Sequence, residues 1–299
     1  MLGSHLTRFL LKKGCEVVWL VRDPLRVRRT DVKAFRWSVE ENFIDPAALD
    51  NVEAVVHLAG ANVGESRWTA KRKKEILESR TQGTALLAKT LETIPNQVRV
   101  VVSASATGYY GNHPAGMVMQ EIAPPGQDFL ASVTAAWESA AARLKSAERR
   151  LVMLRLGVVL STEGGAVPKL ALPIRLMAGA PVGSGKQMIS WIHADDACAM
   201  IAFAIENHSL QGVCNAAAPE AVSNADFTRA LARSLRKPLW LPNVPAFMLR
   251  LFLGEMAEVV LGGVAVSSEK IQQAGFHFSF PTLTLALSDL FPADPGVRR

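Results

Sequence analysis

Met1-Leu2-Gly3-Ser4-His5-Leu6 opens the chain, and the reading of this stretch decides the fold. Gly3 fits the last glycine of a G-x-x-G-x-x-G turn, with Leu6, Phe9 and Leu10 forming the buried stripe of the helix after it. Gly14 closes that helix, and Cys15-Glu16-Val17-Val18-Trp19-Leu20-Val21 follows as a strand. A turn of this kind holds a phosphate at a helix N-terminus, and it normally comes after a buried strand and further glycines. Neither precedes Gly3. A mononucleotide-binding unit without that strand lacks the centre of its sheet and most of its phosphate cradle. Two origins stay open: a start lying further upstream, or an authentic shortened relative. A shortened form is expected to bind dinucleotide weakly and to leave a sheet position exposed for pairing with another chain. The plainer alternative is that Met1 starts an ordinary helix.

Working outward, the first half alternates strands and helices. Val52 to Leu58 is an apolar strand ending in Ala59-Gly60, and a helix spans roughly Thr69 to Thr93 with Ile76, Leu86, Leu87 and Leu91 on its apolar face. Val98 to Ser103 is β-branched on both faces and suits a central parallel strand. An Ala-rich helix from Phe129 to Ser146 and a strand from Leu151 to Leu156 continue the rhythm. It predicts an α/β parallel sheet with right-handed crossovers. After Ser161, five glycines (Gly164, Gly165, Gly179, Gly183 and Gly185) break the pattern into loops. Ser190-Trp191-Ile192-His193 ends a short strand, Asp195-Asp196 opens a helix to Asn207, and Gly212 to Ala216 is a strand able to return to the main sheet. Ser223 is the N-cap of a further helix, with Asp226 reaching back. From Pro242 the chain is mostly helical, and Pro292 to Arg299 reads as a frayed tail.

Composition bounds the partners. At 299 residues and 49% hydrophobic, the chain can bury a sizeable core. The net charge of +6 is local: Arg22, Arg26, Arg28, Arg29 and Lys33 form one cluster, and Lys71 to Lys74 with Arg72 a second. No helix-turn-helix or aromatic-interleaved pattern supports nucleic-acid binding, so an anionic cofactor is the better reading of the first cluster. Cys15, Cys198 and Cys214 show no metal or redox spacing and read as packed free thiols, as in a reducing compartment. No stretch has the length of a membrane span, and the N-terminus lacks a secretion signal, so a cytoplasmic location follows by default.

Several residues carry candidate chemistry. Arg22 ends the second strand of the expected unit, where an acidic residue would bind a ribose 2′-hydroxyl and an arginine a 2′-phosphate, which favours NADP. Asp23, just before Pro24, reads as a turn cap. The small residues of Leu58-Ala59-Gly60 let backbone approach the adenosine half of a cofactor. Ser103-Ala104-Ser105-Ala106-Thr107-Gly108-Tyr109-Tyr110-Gly111 places hydroxyls just past the carboxyl end of a central strand, where open α/β sheets build their sites. His193 with Asp195-Asp196 invites a catalytic reading, but Asp195 as a helix cap with His193 bonding a loop is favoured. Trp68, Trp137 and Trp191 line a cleft or fill the core. Glu78 and Arg80 form an internal ion pair, or Arg80 faces the cofactor.

The Ser103–Gly111 segment resembles the Ser-Ala-Thr-x-Tyr-Gly turn of extended short-chain dehydrogenase/reductases, the group of sugar-nucleotide epimerases and dehydratases. In that group the serine matching Ser105 hydrogen-bonds the reacting oxygen. A Tyr-x-x-x-Lys on the next helix then supplies a proton donor of lowered pKa. Here Val133 stands at the tyrosine and Trp137 at the lysine, and neither can do acid–base work. The only tyrosines are Tyr109 and Tyr110, either of which could take over without an adjacent lysine. This departure, with Arg67-Trp68-Thr69, Glu78-Ser79-Arg80, Trp137-Glu138, Arg155 to Leu160, Gly183 to Gln187, Ser190 to His193, Asn215, Gly254-Glu255 and Ala274-Gly275-Phe276, resembles the atypical epimerase-like subgroup. That subgroup is often labelled "epimerase family protein" or, doubtfully, "cell-division inhibitor".

The resemblance implies a Rossmann-like NADP-binding domain over residues 1–160, also receiving about 193–218, and a smaller, mostly helical substrate portion over 161–299. It implies NADP(H) as cofactor, held by Gly3, Arg22, Leu58, Ala59, Gly60, Arg80, Ser103, Leu156 and Gly157, with Ser105 and Tyr109 as catalytic residues. The expected partner is a small polar carbonyl or sugar-like molecule, with no metal, nucleic acid or membrane, and the protein is a monomer or homodimer. The rival reading is a non-catalytic NADP sensor or scaffold, linked to cell division, which Val133 and Trp137 favour.

Overall fold

Which segments pair follows from which are apolar on both faces. A computed structural model describes residues 1–292, so the tail expected beyond Pro292 lies outside the described residues. In chain order the elements are α1 (Leu2–Lys12), β1 (Val18–Val21), β2 (Lys33–Ser38), β3 (Phe43–Ile44), β4 (Ala54–His57), α2 (Ala70–Thr93), β5 (Val100–Ala106), β6 (Val118–Met119), α3 (Phe129–Ala142), β7 (Arg150–Leu156), β8 (Val158–Leu160) and α4 (Ala166–Arg175). Then come β9 (Met188–Ile189), β10 (Trp191–His193), α5 (Ala194–Glu206), β11 (Gly212–Ala216), β12 (Val222–Ser223), α6 (Asn224–Ser234), α7 (Ala246–Leu253), α8 (Glu258–Leu261), β13 (Ala265–Val266), α9 (Glu269–Gln273) and α10 (Leu283–Leu290). Among the described residues, no helix is long and apolar enough to cross a membrane.

The main sheet has the order β11-β7-β5-β4, all parallel. Its pleat sorts side chains by alternation. Val100, Val102, Val152 and Leu154 face one core with Leu6 of α1 and Met200, Ile201 and Ala204 of α5. Val101 and Leu151 face the other, with Leu86, Leu87 and Leu91 of α2 and Ala141 of α3. This is the doubly covered parallel sheet that the sequence rhythm implies. The return of Gly212–Ala216 to the sheet beside β7 is also observed.

β1 pairs with β2, and β2 with β3, in a separate three-stranded sheet. Among the described residues no ladder joins β1 to β4, and β4 has a strand partner on one edge only. Its valines, Val55 and Val56, are only half-buried, unlike the buried valines of β5.

The C-terminal portion builds its own core from Leu160, Ile174, Trp191, Phe227, Leu231, Leu283 and Leu287. Ser223 N-caps α6, accepting from the Asp226 amide at 3.1 Å while its hydroxyl donates to the Asp226 carboxylate at 2.5 Å.

Three expectations are corrected. The Ala-rich helix stops at Ala142 and not at Ser146, because Ser146 and Arg149 close a turn on each other and the Arg149 guanidinium takes the Leu144 carbonyl at 2.7 Å. Cys15 is exposed, since strand pairing starts only at Val18, whereas Cys198 and Cys214 are buried free thiols. The cap of α5 is His193 and not Asp195: the His193 ring nitrogen accepts from the Asp195 amide at 3.2 Å. Asp195 instead bonds His5 of α1 at 2.5 Å, and Asp196 accepts from the Ser279 and Phe280 amides, both at 2.9 Å.

At the carboxyl end of β4, His57 is buried, stacks on Trp37 and bonds the Thr84 hydroxyl at 2.9 Å. Burial depresses its pKa from 6.5 to about 4. The unfolded chain therefore takes up this proton first as pH falls, and stability drops between those two values by up to about 1.4 kcal/mol per pH unit. We expect urea unfolding at pH 7 and pH 5 to show a smaller pH-dependent loss in His57→Gln than in the wild type. An equal loss in both would remove His57 as its source.

Candidate functional site

The site begins where β5 changes from valines to small hydroxylated residues. Ser103 is fully buried and donates to the Ala104 carbonyl at 3.2 Å. Ser105, two residues on, shares its face of the sheet by pleat alternation, and in the sheet register it stands opposite Arg155 of β7, which in turn stands opposite Asn215 of β11. Three polar residues thus form one row across three neighbouring strands.

α3 supplies the fourth. Asp128 caps it, accepting from the Ala131 amide at 2.9 Å, which fixes where the helix begins. Val133 and Trp137, one turn apart, then face α2. Val133 packs with Trp68 and Ile76, and the Trp137 ring lies 5.1 Å from the Arg80 guanidinium. Glu138, one residue further round, turns to the sheet and meets the polar row.

Ser105 donates to Glu138 Oε1 at 2.5 Å. Arg155 grips the same carboxylate through Nε and Nη2, each at 2.8 Å, and donates to the Glu121 carbonyl at 3.2 Å. The pair is desolvated, with side-chain exposures of 3% for Arg155 and 10% for Glu138. Above it, the Tyr109 ring centroid lies 3.4 Å from the Arg155 guanidinium carbon, and that of Tyr110 at 4.8 Å. Burial opposes the charge on Arg155, but its hydrogen bonds with Glu138 and Tyr110 outweigh this and hold its pKa above the ordinary value. Burial pushes the Tyr110 phenol up, against the opposing pull of Arg155 and Asn215. The Tyr110 hydroxyl donates to Asn215 Oδ1 at 2.7 Å, while the Asn215 side-chain amide donates to the Ser267 carbonyl at 2.9 Å. Tyr110 is therefore enclosed, and of the two tyrosines only Tyr109 is partly exposed.

β7 ends at Leu156, opposite Ala106, and the chain then turns through Gly157. A Cβ at Gly157 would fall 2.6 Å from the Ser190 carbonyl oxygen, so only glycine lets β8 leave the main sheet and pair with β10. Leu58 is half-buried, and Ala59 and Gly60 are exposed beyond β4. Arg80 lies across Gly60, with guanidinium atoms about 3.1 Å from the position a Cβ would take, and it donates to the Ala61 and Ile76 carbonyls at 3.0 Å. Its expected pairing with Glu78 is not made: Glu78 pairs with Lys74 at 3.7 Å, and among the described residues Arg80 has no carboxylate partner. Burial, with Arg72 nearby, lowers its pKa.

Gly3 sits in the first turn of α1 with open space around it. Arg22 is exposed just past β1, in the separate sheet. Of the first basic cluster, Arg26 pairs with Asp23 and Arg29 with Asp31, leaving Arg22, Arg28 and Lys33 without carboxylate partners among the described residues. Asp23 also caps the turn after β1, accepting from the Leu25 amide at 3.1 Å. Three of the second cluster are paired internally: Arg72 with Glu65 and Glu75, Lys73 with Glu255, Lys74 with Glu78, while Lys71 has no carboxylate partner among the described residues. The structure thus gathers Ser103, Ser105, Tyr109, Leu156 and Gly157 at one sheet end and sets Arg80 against Gly60. Glu138, Arg155 and Asn215 had no role assigned from sequence. The available signal was a charge inside an apolar strand, Arg155, and one inside an Ala-rich helix, Glu138.

The description of the NAD dependent epimerase/dehydratase family matches residues 1–217, and a domain of unknown function (DUF1731) matches residues 244–290. The chain belongs to the NAD dependent epimerase/dehydratase family, with the extended short-chain dehydrogenase/reductase fold. It is similar to the Epimerase family protein YfhF of Bacillus subtilis, at 33% identity over 97% of this chain and 94% of the relative. To the Epimerase family protein SDR39U1 of Bos taurus it is 35% identical over 97% of this chain and 96% of the relative. Among solved structures, human epimerase family protein SDR39U1 (isoform 2) with NADPH superposes with a TM-score of 0.86, at 32% identity over 97% of this chain and 95% of that one. A Thermus thermophilus UDP-glucose 4-epimerase complex with NAD shares the fold, with a TM-score of 0.73 at 22% identity over 97% of this chain and 96% of that one.

The buried pair yields a direct stability test. Glu138→Leu leaves Arg155 charged and uncompensated, and we expect a loss of about 3–5 kcal/mol in denaturant unfolding. The double variant with Arg155→Met should recover most of it. Equal destabilisation by single and double variants would show that the pair does not act as a unit.

Proposed function

We propose that this chain binds NADP(H) over the carboxyl ends of β4, β5 and β7 and acts as an oxidoreductase or epimerase-like protein on a small polar carbonyl or sugar-like molecule. The observation that carries this reading is the convergence of Ser105 and partly exposed Tyr109 beside Leu156-Gly157, braced by Glu138 and Arg155. Residues for both ends of the dinucleotide are present. Arg22 and Arg28 offer unpaired cations for a 2′-phosphate, and exposed Ala59-Gly60 gives close backbone access. The α1 N-terminus, with no acidic residue in its first turn, offers free amides to a phosphate. The match to a neighbour solved with NADPH supports the same choice.

When bound, the nicotinamide gives or takes a hydride. The protein's own groups orient the substrate and move the proton. Ser105 directs its proton to Glu138, which leaves its oxygen lone pairs free to accept from a substrate hydroxyl; rotation of the hydroxyl would let it donate to a carbonyl. Tyr109, or a water beside it, supplies or accepts the proton that accompanies hydride movement. Val133 and Trp137, 2% and 6% exposed, exclude water from the wall where the usual pair would stand. Those same two residues favour the second reading, a non-catalytic NADP sensor or scaffold.

Titration of NADPH, followed by its fluorescence, should show saturable binding. Arg22→Ala should weaken NADPH by about tenfold or more and leave NADH unchanged, because only the former carries the 2′-phosphate. Absence of NADPH binding would overturn the cofactor reading. With NADPH oxidation measured against nucleotide sugars and small carbonyl compounds, Ser105→Ala should lower any turnover about a hundredfold. Unchanged turnover would move the sensor reading to the front.

A further inference from the structure

α7 runs against the usual rule for a surface helix, which turns its apolar stripe to the core. Its sequence, Ala246-Phe247-Met248-Leu249-Arg250-Leu251-Phe252-Leu253, holds one polar residue, yet none of the eight is buried. Helical spacing sets Phe247, Met248, Leu251 and Phe252 within one arc of about 140°, with Leu249 and Leu253 on the opposite side. That opposite side is the one that meets the protein: Leu249 lines a cleft with Leu170, Pro173 and Ile174 of α4 and Phe227 and Leu231 of α6. The outward arc meets water, with Phe247 69%, Leu251 68% and Phe252 68% exposed.

The apolar surface continues onto the neighbouring segments. The Val244 amide donates to the Pro181 carbonyl at 2.9 Å, and its own carbonyl accepts from the Gly183 amide at 2.9 Å, so the chain leading into α7 runs beside the loop after α4. Trp240, 67% exposed, donates its indole N–H to the Met177 carbonyl at 3.0 Å, next to exposed Leu176 at the end of α4. Together Leu176, Trp240 and the four outward residues of α7 present on the order of 700 Å² of apolar surface, more than a typical monomer leaves in one patch, which marks an interaction surface.

Charge identifies the partner. From Gly164 to Gln187 and from Leu235 to Gly254 the chain carries Lys169, Arg175, Lys186, Arg236, Lys237 and Arg250, and no Asp or Glu. The acids that border these stretches, Glu163 and Glu255, are engaged by Arg8 and Lys73. Arg250 shares Glu258 at 3.3 Å, while Arg175, Arg236 and Lys237 are exposed. A second copy would set this surface cation against cation. An anionic bilayer meets both features: its headgroups take the cations, and the aromatic and aliphatic side chains enter the boundary beneath them. We propose that α7, Trp240 and the end of α4 form a docking surface that lies on an anionic lipid bilayer. This departs from the expectation of no membrane partner, because a helix lying in the interface needs no spanning length. It is independent of the cofactor reading. Arg67 holds the Leu251 carbonyl and Lys73 holds Glu255, so the docked helix stays fixed to the start of α2.

Co-sedimentation with vesicles tests this, using pure phosphatidylcholine and a mixture of three parts phosphatidylcholine to one part phosphatidylglycerol. We expect the full chain to sediment with the anionic vesicles far more than with the neutral ones, and to be released by high salt. Two variants separate the contributions, with thermal melting confirming that each is folded. The triple variant Phe247→Ser, Leu251→Ser, Phe252→Ser should lower partitioning onto anionic vesicles about tenfold or more. Arg175→Gln with Lys237→Gln should lower it by roughly tenfold at low salt. Lack of binding to anionic vesicles, or equal binding by the wild type and the folded triple variant, would overturn the proposal. Sedimentation velocity covers the other occupant: a dimer of the wild type that the triple variant abolishes would assign the surface to a second copy, and would equally overturn it.

Discussion

The ion pair between Arg155 and Glu138 is the constraint on which the carboxyl end of the sheet depends. A charge within an apolar strand must be compensated where it stands. Arg155 is compensated by a carboxylate that reaches it from α3, and this fixes how α3 lies on β5 and β7. Ser105 is then aligned by the same carboxylate and Tyr109 by the same guanidinium. Replacement of the usual tyrosine and lysine by Val133 and Trp137 therefore does not leave the region without order. Polar organisation has moved one residue along the helix, to Glu138, and inward to the strand.

Charge is distributed by the same logic across the molecule. Most of the basic run on α2 is paired with nearby carboxylates, and the Lys73–Glu255 pair is a structural clasp between α2 and the segment after α7. Arg67 adds to this clasp by donating to the Leu251 carbonyl at 2.5 Å. Among the described residues Arg22, Arg28 and Arg80 have no carboxylate partner, as is also true of Lys33, Lys71 and other surface cations. The open edge of β4 is a separate matter of backbone hydrogen bonding: β1 and β4 share no ladder, and the half-buried valines of β4 show what that leaves uncovered.

The fold could be read from the sequence wherever local chemistry marked it. Thr69 and Thr93 bound α2 as expected, because a threonine cap and a periodic apolar face announce the helix in its own residues. The valines of β5 announced a strand buried on both faces. Reading failed where a distant partner decided the outcome. Nothing near Ser146 reveals that Arg149 folds back on the helix end, and an imidazole is an unusual cap, so the cap role falls to Asp195 on sequence and His193 reads as bonding a loop. The site was half visible. The turn from Ser103 to Gly111 was plain, but Glu138 lies 33 residues from the Ser105 it bonds. Only the pleat places Arg155 and Asn215 beside them. For Arg80 the sequence leaves two roles open, pairing with Glu78 or facing the cofactor, and the capture of Glu78 by Lys74 removes the first.

The measurement that tests the account most directly is a crystal structure of this protein with NADPH. We expect the nicotinamide ring over the carboxyl ends of β5 and β7, beside Ser105, Tyr109 and Gly157. A cofactor bound elsewhere would contradict it.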